Sequence, residues 1–179
     1  MRRWLLLALL ILGLPLDSPA QIIPHVAVFG GYTYVHAKYD YDSGLGGFSL
    51  NGWDGSLEVK PLPLVGLVAD VSRQYGSPNG IRENQTSVLV GPQLSVPGFK
   101  RVIPYAHVMA GVVHGTNNGI QSVITGNAFA TAVGGGVDIK LAGPLWFRAV
   151  QADWLHANLS PDHHTQMRLA TGLVVRFGS

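Results

Sequence analysis

A chain of 179 residues with no cysteine and a formal net charge of +2 carries no disulfide framework and no basic footprint for nucleic acid. Charged residues make up only 12% of it, where roughly 25% is usual for a soluble domain. That is little charge for a water-facing surface, yet beyond the first twenty residues no stretch reaches the roughly 18 apolar residues of a helical membrane span.

Met1-Arg2-Arg3 is a positive start and Trp4 to Leu14 an apolar run, broken by Pro15 and Asp17 before the small residues of Ser18-Pro19-Ala20. This order predicts a secretory signal peptide over 1–20, cleaved after Ala20. The apolar run is about half the length needed to cross a bilayer. Residues 21–179 are then expected to form one domain. Prolines at 24, 61, 63, 78, 92, 97, 104, 144 and 161, with the scattered glycines, leave no room for long helices. Alternating polarity between these breakers predicts strands near 25–37, 48–60, 64–75, 85–95, 101–114, 128–140, 144–156 and 166–178. The connections at 61–63, 96–100 and 141–143 are short, and those at 38–47, 76–84, 115–127 and 157–165 longer and polar. Such alternation gathers the long loops at one end of an up-and-down antiparallel barrel.

Side chains in a strand change face at every residue, so parity assigns each of them to one side. In the second strand Asp54, Ser56, Glu58 and Lys60 share one face, opposite Trp53, Leu57 and Val59. In the third, Asp70 and Ser72 oppose Val65, Leu67 and Val71; in the sixth, Asp138 and Lys140 oppose Phe129, Val133, Val137 and Ile139. In the last, Arg168 and Arg176 oppose Leu169, Leu173, Val175 and Phe177. The seventh strand breaks the rule, because Arg148 is out of phase with Gln151 and Asp153; a bulge near Ala149-Val150 would bring all three to one face. The first and fifth strands remain ambiguous in phase. A soluble barrel would place apolar side chains within and charges without, whereas a transmembrane barrel inverts this. With so few charges to cover an exterior, the inverted arrangement is expected: an all-β, eight-stranded transmembrane β-barrel. Glu58, Lys60, Asp70, Asp138, Lys140, Arg148, Arg168 and Arg176 should then meet in a narrow lumen as a salt-bridged plug.

The chain resembles the small eight-stranded outer-membrane barrels of the OmpA and OmpX transmembrane-domain type. The resemblance rests on Val28-Phe29-Gly30-Gly31-Tyr32-Thr33-Tyr34, Asn51-Gly52-Trp53-Asp54-Gly55-Ser56, Val68-Ala69-Asp70-Val71, Leu89-Val90-Gly91-Pro92, Gly134-Gly135-Gly136-Val137-Asp138 and the closing Arg176-Phe177. It implies a place in the bacterial outer membrane, outer-membrane lipid as surroundings, and a structural or surface-interaction role with an external ligand met by the loops. The alternative it leaves is a narrow pore for small solutes or ions, with a lipid-modifying envelope enzyme further behind. It also implies that Phe177 is the aromatic assembly signal read by the barrel-assembly machinery, although Gly178 and Ser179 follow it.

Other candidate chemistry is weak, and no cofactor, metal or catalytic residue is expected. His163-His164 and His156 lack a rigid set of partners with metal-ligand spacing. His107 and His114, seven apart, fall on opposite faces of a regular strand. A serine hydrolase on the lipid-facing wall would need a serine where Asn158 follows His156. Gly134-Gly135-Gly136 precedes no helix and so makes no phosphate cradle; it suits close packing in a small barrel.

Overall fold

The computed structural model describes residues 25–37, 48–77, 82–96, 101–118, 123–159 and 162–178. They form eight strands: β1 (His25–Ala37), β2 (Phe48–Lys60), β3 (Val65–Gly76), β4 (Arg82–Ser95), β5 (Val102–Asn118), β6 (Val123–Ala142), β7 (Leu145–Leu159) and β8 (Asp162–Phe177). Each pairs antiparallel with its neighbours in sequence, and β8 closes on β1 from Val26↔Phe177 to Ala37↔Gln166. Closure leaves no strand edge unpaired along this seam, which satisfies backbone groups without water.

The short connections share one end with the start of β1 and the close of β8. There 61–64 joins β2 to β3, and Gly143-Pro144 turns β6 into β7 with Gly143 at φ 51°, a conformation that suits a residue without Cβ. We call this the turn end and the opposite one the loop end. Two of the polar stretches expected as long loops, 115–127 and 157–165, prove largely to be strand. β5 continues to Asn118 against Val123, and β7 to Leu159 against Asp162. Polarity had suggested loops there because strands that rise beyond an apolar belt no longer alternate between lipid and lumen. The expected loop at 38–47 and the expected signal at 1–20 lie outside the described residues.

Alternation governs the wall. β3 reads as a strict succession of exposed and buried residues along Val65–Tyr75. The exposed residues form an apolar exterior that includes Val28, Leu57, Leu67, Val90, Val108, Val133 and Leu173. Aromatic side chains, Tyr32, Trp53, Tyr75, Phe129 and Trp154, stand outward toward the loop end, as in an interfacial girdle. The irregularity of β7 falls where the sequence suggested. Val137 pairs with Val150 but Asp138 with Arg148, and Arg148 pairs with Gly172 but Gln151 with Ala170, so one extra residue is inserted at Ala149-Val150. Arg148, Gln151 and Asp153 are consequently all buried.

The phase of β1 and β5 is also settled. Ala27, Phe29, Thr33 and Val35 point inward from β1, and Tyr105, His107, Met109 and Val113 from β5. Part of the interior is therefore apolar. One cluster joins Val68, Leu89, Met109, Val113, Ala130, Ala132 and Leu155; another, nearer the turn end, joins Ala27, Phe29, Trp146, Ala170 and Val174.

Candidate functional site in the barrel lumen

Inward parity on six strands brings a set of polar side chains to the middle of the barrel. Arg168 of β8 is the centre of it. Its Nε and Nη2 donate to Asp153 Oδ2 of β7 at 2.9 and 2.7 Å, and its Nη1 donates to Asp70 Oδ1 of β3 at 2.7 Å and to Ser72 Oγ at 3.0 Å. A single planar guanidinium thus ties β8 to the opposite wall, a task suited to its fixed fork of donors. Asp153 also meets His107 Nε2 of β5 at 2.7 Å and accepts from Gln151 Nε2 at 2.8 Å.

From Gln151 the chain of contacts runs toward the turn end. Gln151 Oε1 accepts from Tyr105 Oη at 2.9 Å and from Arg148 Nη1 at 2.6 Å. Arg148 lies between two rings, 4.2 Å from the centroid of Phe29 and 4.6 Å from that of Tyr105, and its Nε donates to Asp138 Oδ1 at 3.0 Å. A cation between aromatic faces keeps attraction after losing water. Asp138 Oδ2 then accepts from Arg176 Nη2 at 2.7 Å, with Arg176 over the Trp146 ring at 4.8 Å. Lys60 and Glu58 form a separate pair at 3.3 Å at this end.

Two glycines make the arrangement possible. A Cβ on Gly134 would strike the Asp153 carboxylate, and one on Gly136 would strike the Tyr105 hydroxyl and ring. The glycine run of β6 is therefore a recess in the lumen wall into which two plug residues fit, the close packing expected of it.

The charges nearly balance. Arg148, Arg168, Arg176 and Lys60 face Asp54, Asp70, Asp138, Asp153 and Glu58, with His107 beside Asp153. Asp54 is the weakly held member. It is buried, neither oxygen has a hydrogen-bond partner among the described residues, and its nearest cation, Arg168 Nη1, is 3.9 Å away. A buried ion recovers its lost hydration only through close, hydrogen-bonded partners, so Asp54 is the carboxyl of the set that is costliest to charge.

Seven of the eight charged residues expected in the lumen are there: Glu58, Lys60, Asp70, Asp138, Arg148 and Arg168 buried, Arg176 half-buried. Lys140 is not. It is exposed near the end of β6, where a second register irregularity between Lys140 and Ala142 meets the rim; its Nζ lies 5.7 Å from the Trp146 ring. Phe177 ends β8 with its side chain exposed at the turn end. His107 and His114 do fall on opposite faces, one buried and one exposed. His156 is exposed, and the side chains of Asn158, His163 and His164 lie outside the described residues. The eight charges expected in the lumen left out Asp54 and Asp153, and His107, Gln151 and Tyr105 were missed as well. For Asp54 the signal was its parity with Glu58, and for Asp153 and Gln151 the bulge that phased them with Arg148; for His107 and Tyr105 the undecided parity of β5 hid it.

No protein-family model matches the chain, and no curated protein matches it in sequence. Solved structures do. Neisserial surface protein A is similar over 85% of this chain and 97% of its own, with a TM-score of 0.70 at 13% identity. Ail, the attachment invasion locus protein of Yersinia pestis, is similar over 86% and 99%, with a TM-score of 0.63 at 14% identity. The outer membrane protein OprG from Pseudomonas aeruginosa is similar over 87% and 97%, with a TM-score of 0.57 at 11% identity. The chain thus has the fold of the small eight-stranded outer-membrane β-barrels.

Proposed function

We propose that the protein is a bacterial outer-membrane barrel with a structural or surface-interaction role and no catalytic one. The carrying observation is the pairing of an apolar exterior with a lumen crossed by buried ion pairs. A continuous apolar wall of this extent is foreign to monomeric soluble proteins and fits lipid. On this reading the segment 1–20 directs export, the turn end faces the periplasm, and the long hairpins of β5–β6 and β7–β8 rise outside to meet an external ligand. Ail, a barrel of the same build, is named for attachment and invasion, which supports a role resting on what the loops present.

Fractionation with gel mobility tests the location: the protein should sediment with outer membranes and migrate differently before and after boiling. Recovery in the soluble periplasm without a heat-dependent shift would defeat it. In planar bilayers the refolded barrel should show no steady conductance; steady current abolished by replacing Arg176 would establish the narrow pore instead. Phe177 serves as the assembly signal in this scheme. Phe177→Ala should slow insertion by the assembly machinery while leaving unaided refolding in detergent unchanged; equal rates in the assisted reaction would remove that role.

A further inference from the structure

At the turn end the lumen opens into a cavity of about 300 Å³, at the lower end of the usual size for small-molecule sites. Ala27, Ile103 and the Pro61-Leu62-Pro63 turn supply apolar wall, and Lys60, Arg176, Glu58 and Ser95 supply polar groups. Two of these carry buried donor atoms with no hydrogen-bond partner among the described residues, Ser95 Oγ and Arg176 Nε, while Glu58 Oε1 has only Lys60 Nζ at 3.3 Å. Buried polar atoms are rarely left so, and two donors on one cavity mark a place where an acceptor group of a ligand is received.

We infer that this cavity is a binding site for a small monoanionic amphiphile, a short-chain carboxylate whose head meets Lys60, Arg176 and the Ser95 hydroxyl while its chain lies against Ala27, Ile103 and Leu62. Charge selects the sign. The buried and half-buried ionic groups of this end are Lys60, Arg148 and Arg176 against Glu58 and Asp138, an excess of one positive charge, with Arg101 and Lys140 exposed at the rim beyond them. Donor count selects the head. Among the described residues Lys60 has three donors and a single long contact to Glu58, the Ser95 hydroxyl has no partner, and Arg176 holds Asp138 through Nη2 and leaves Nε unused. A single carboxylate fits that set, and the apolar walls favour a hydrocarbon chain over a sugar or a dianionic phosphate. The site goes beyond the structural role proposed above and does not depend on the barrel's orientation, because it belongs to the folded barrel itself.

The test is titration of the refolded barrel in lipid nanodiscs with hexanoate, hexanol and hexylammonium, followed by methyl NMR at Ile103 and Ala27. Hexanoate should give saturable shifts at both methyls, and the neutral and cationic probes should not. Arg176→Gln, which leaves Asp138 paired with Arg148, should weaken hexanoate by roughly tenfold or more, as loss of a charged hydrogen bond does. Should that variant fail to fold, the double variant Glu58→Gln with Lys60→Met removes the other cation without stranding its partner, and should weaken hexanoate similarly. Equal responses to all three probes would reduce the effect to partitioning and overturn the site. So would unchanged hexanoate affinity in whichever of the two variants folds.

Discussion

Arg168 and Asp54 are close together, yet they stand in opposite energetic positions. Arg168 uses every face of its guanidinium on Asp153, Asp70 and Ser72. Replacing it by Met strands two buried carboxylates and should cost about 3–5 kcal/mol, the usual penalty for breaking a buried pair from one side. Denaturant titration of the refolded barrel would read this as a lowered midpoint. Asp54 has no hydrogen bond to lose among the described residues. Asp54→Asn keeps the volume, replaces a buried carboxyl that has no hydrogen-bond partner among the described residues, and should leave stability unchanged or raise it by about 1 kcal/mol. A loss comparable to that of Arg168→Met would show that Asp54 is held far more tightly than its 3.9 Å separation from Arg168 implies. Reading from sequence reached this level unevenly. Parity alone carried Glu58, Asp70, Asp138, Arg168 and Arg176 to the interior, because each alternates with apolar neighbours. It could not assign weights among them, since the bonds of Arg168 join residues separated by as much as 98 positions, and no local pattern reports such a distance. Lys140 went astray because parity reports a face and not a depth: it pairs directly with inward Trp146, but it stands so near the end of β6 that its side chain reaches water.

Among the elements, β7 shows how one residue controls a face. The insertion at Ala149-Val150 lets Trp146 and Arg148 share the lumen with Gln151, Asp153 and Leu155. Deleting Ala149 removes the extra residue, so Arg148 and Gln151 stand two apart and share the lumen face by plain alternation, with Val150 alone between them facing out. The variant should therefore still refold and keep the heat-modifiable band. Loss of that band would mean that the bulge itself, and not only the facing it restores, is required. The strand positions themselves were legible almost to the residue for β1, β2 and β3, because Gly and Pro punctuate them and both faces are chemically distinct. β1 and β5 hid their phase because Phe29, Val35, Met109 and Val113 are apolar residues that point inward, so neither face of those strands is marked by charge. The outer reaches of β5 to β8 hid their length because polar and small residues fall there on both parities.

For the molecule as a whole, the exterior is the property that separates a membrane protein from a soluble one. Val108 projects outward beside inward His107, at the level of the plug. Val108→Arg should therefore cost about 2–4 kcal/mol in a bilayer, the range for a cation on the lipid face near the midplane. A water-facing wall would register almost no change, and urea titration of vesicle-embedded protein distinguishes the two.

The position of Arg168 on the last strand also sets an order of events. Before β8 arrives, Asp70 and Asp153 project into the unfinished cylinder without the guanidinium that pairs with them, Asp153 meeting His107 and Gln151 alone among the described residues of the other strands. Mutual repulsion and hydration then keep that half-built wall wet and splayed. The seam between β8 and β1 closes in the same step that delivers the guanidinium, so sealing the backbone and discharging the interior are one event. A barrel that closed with the wrong strand would still hold its carboxylates apart, and would have reason to open again.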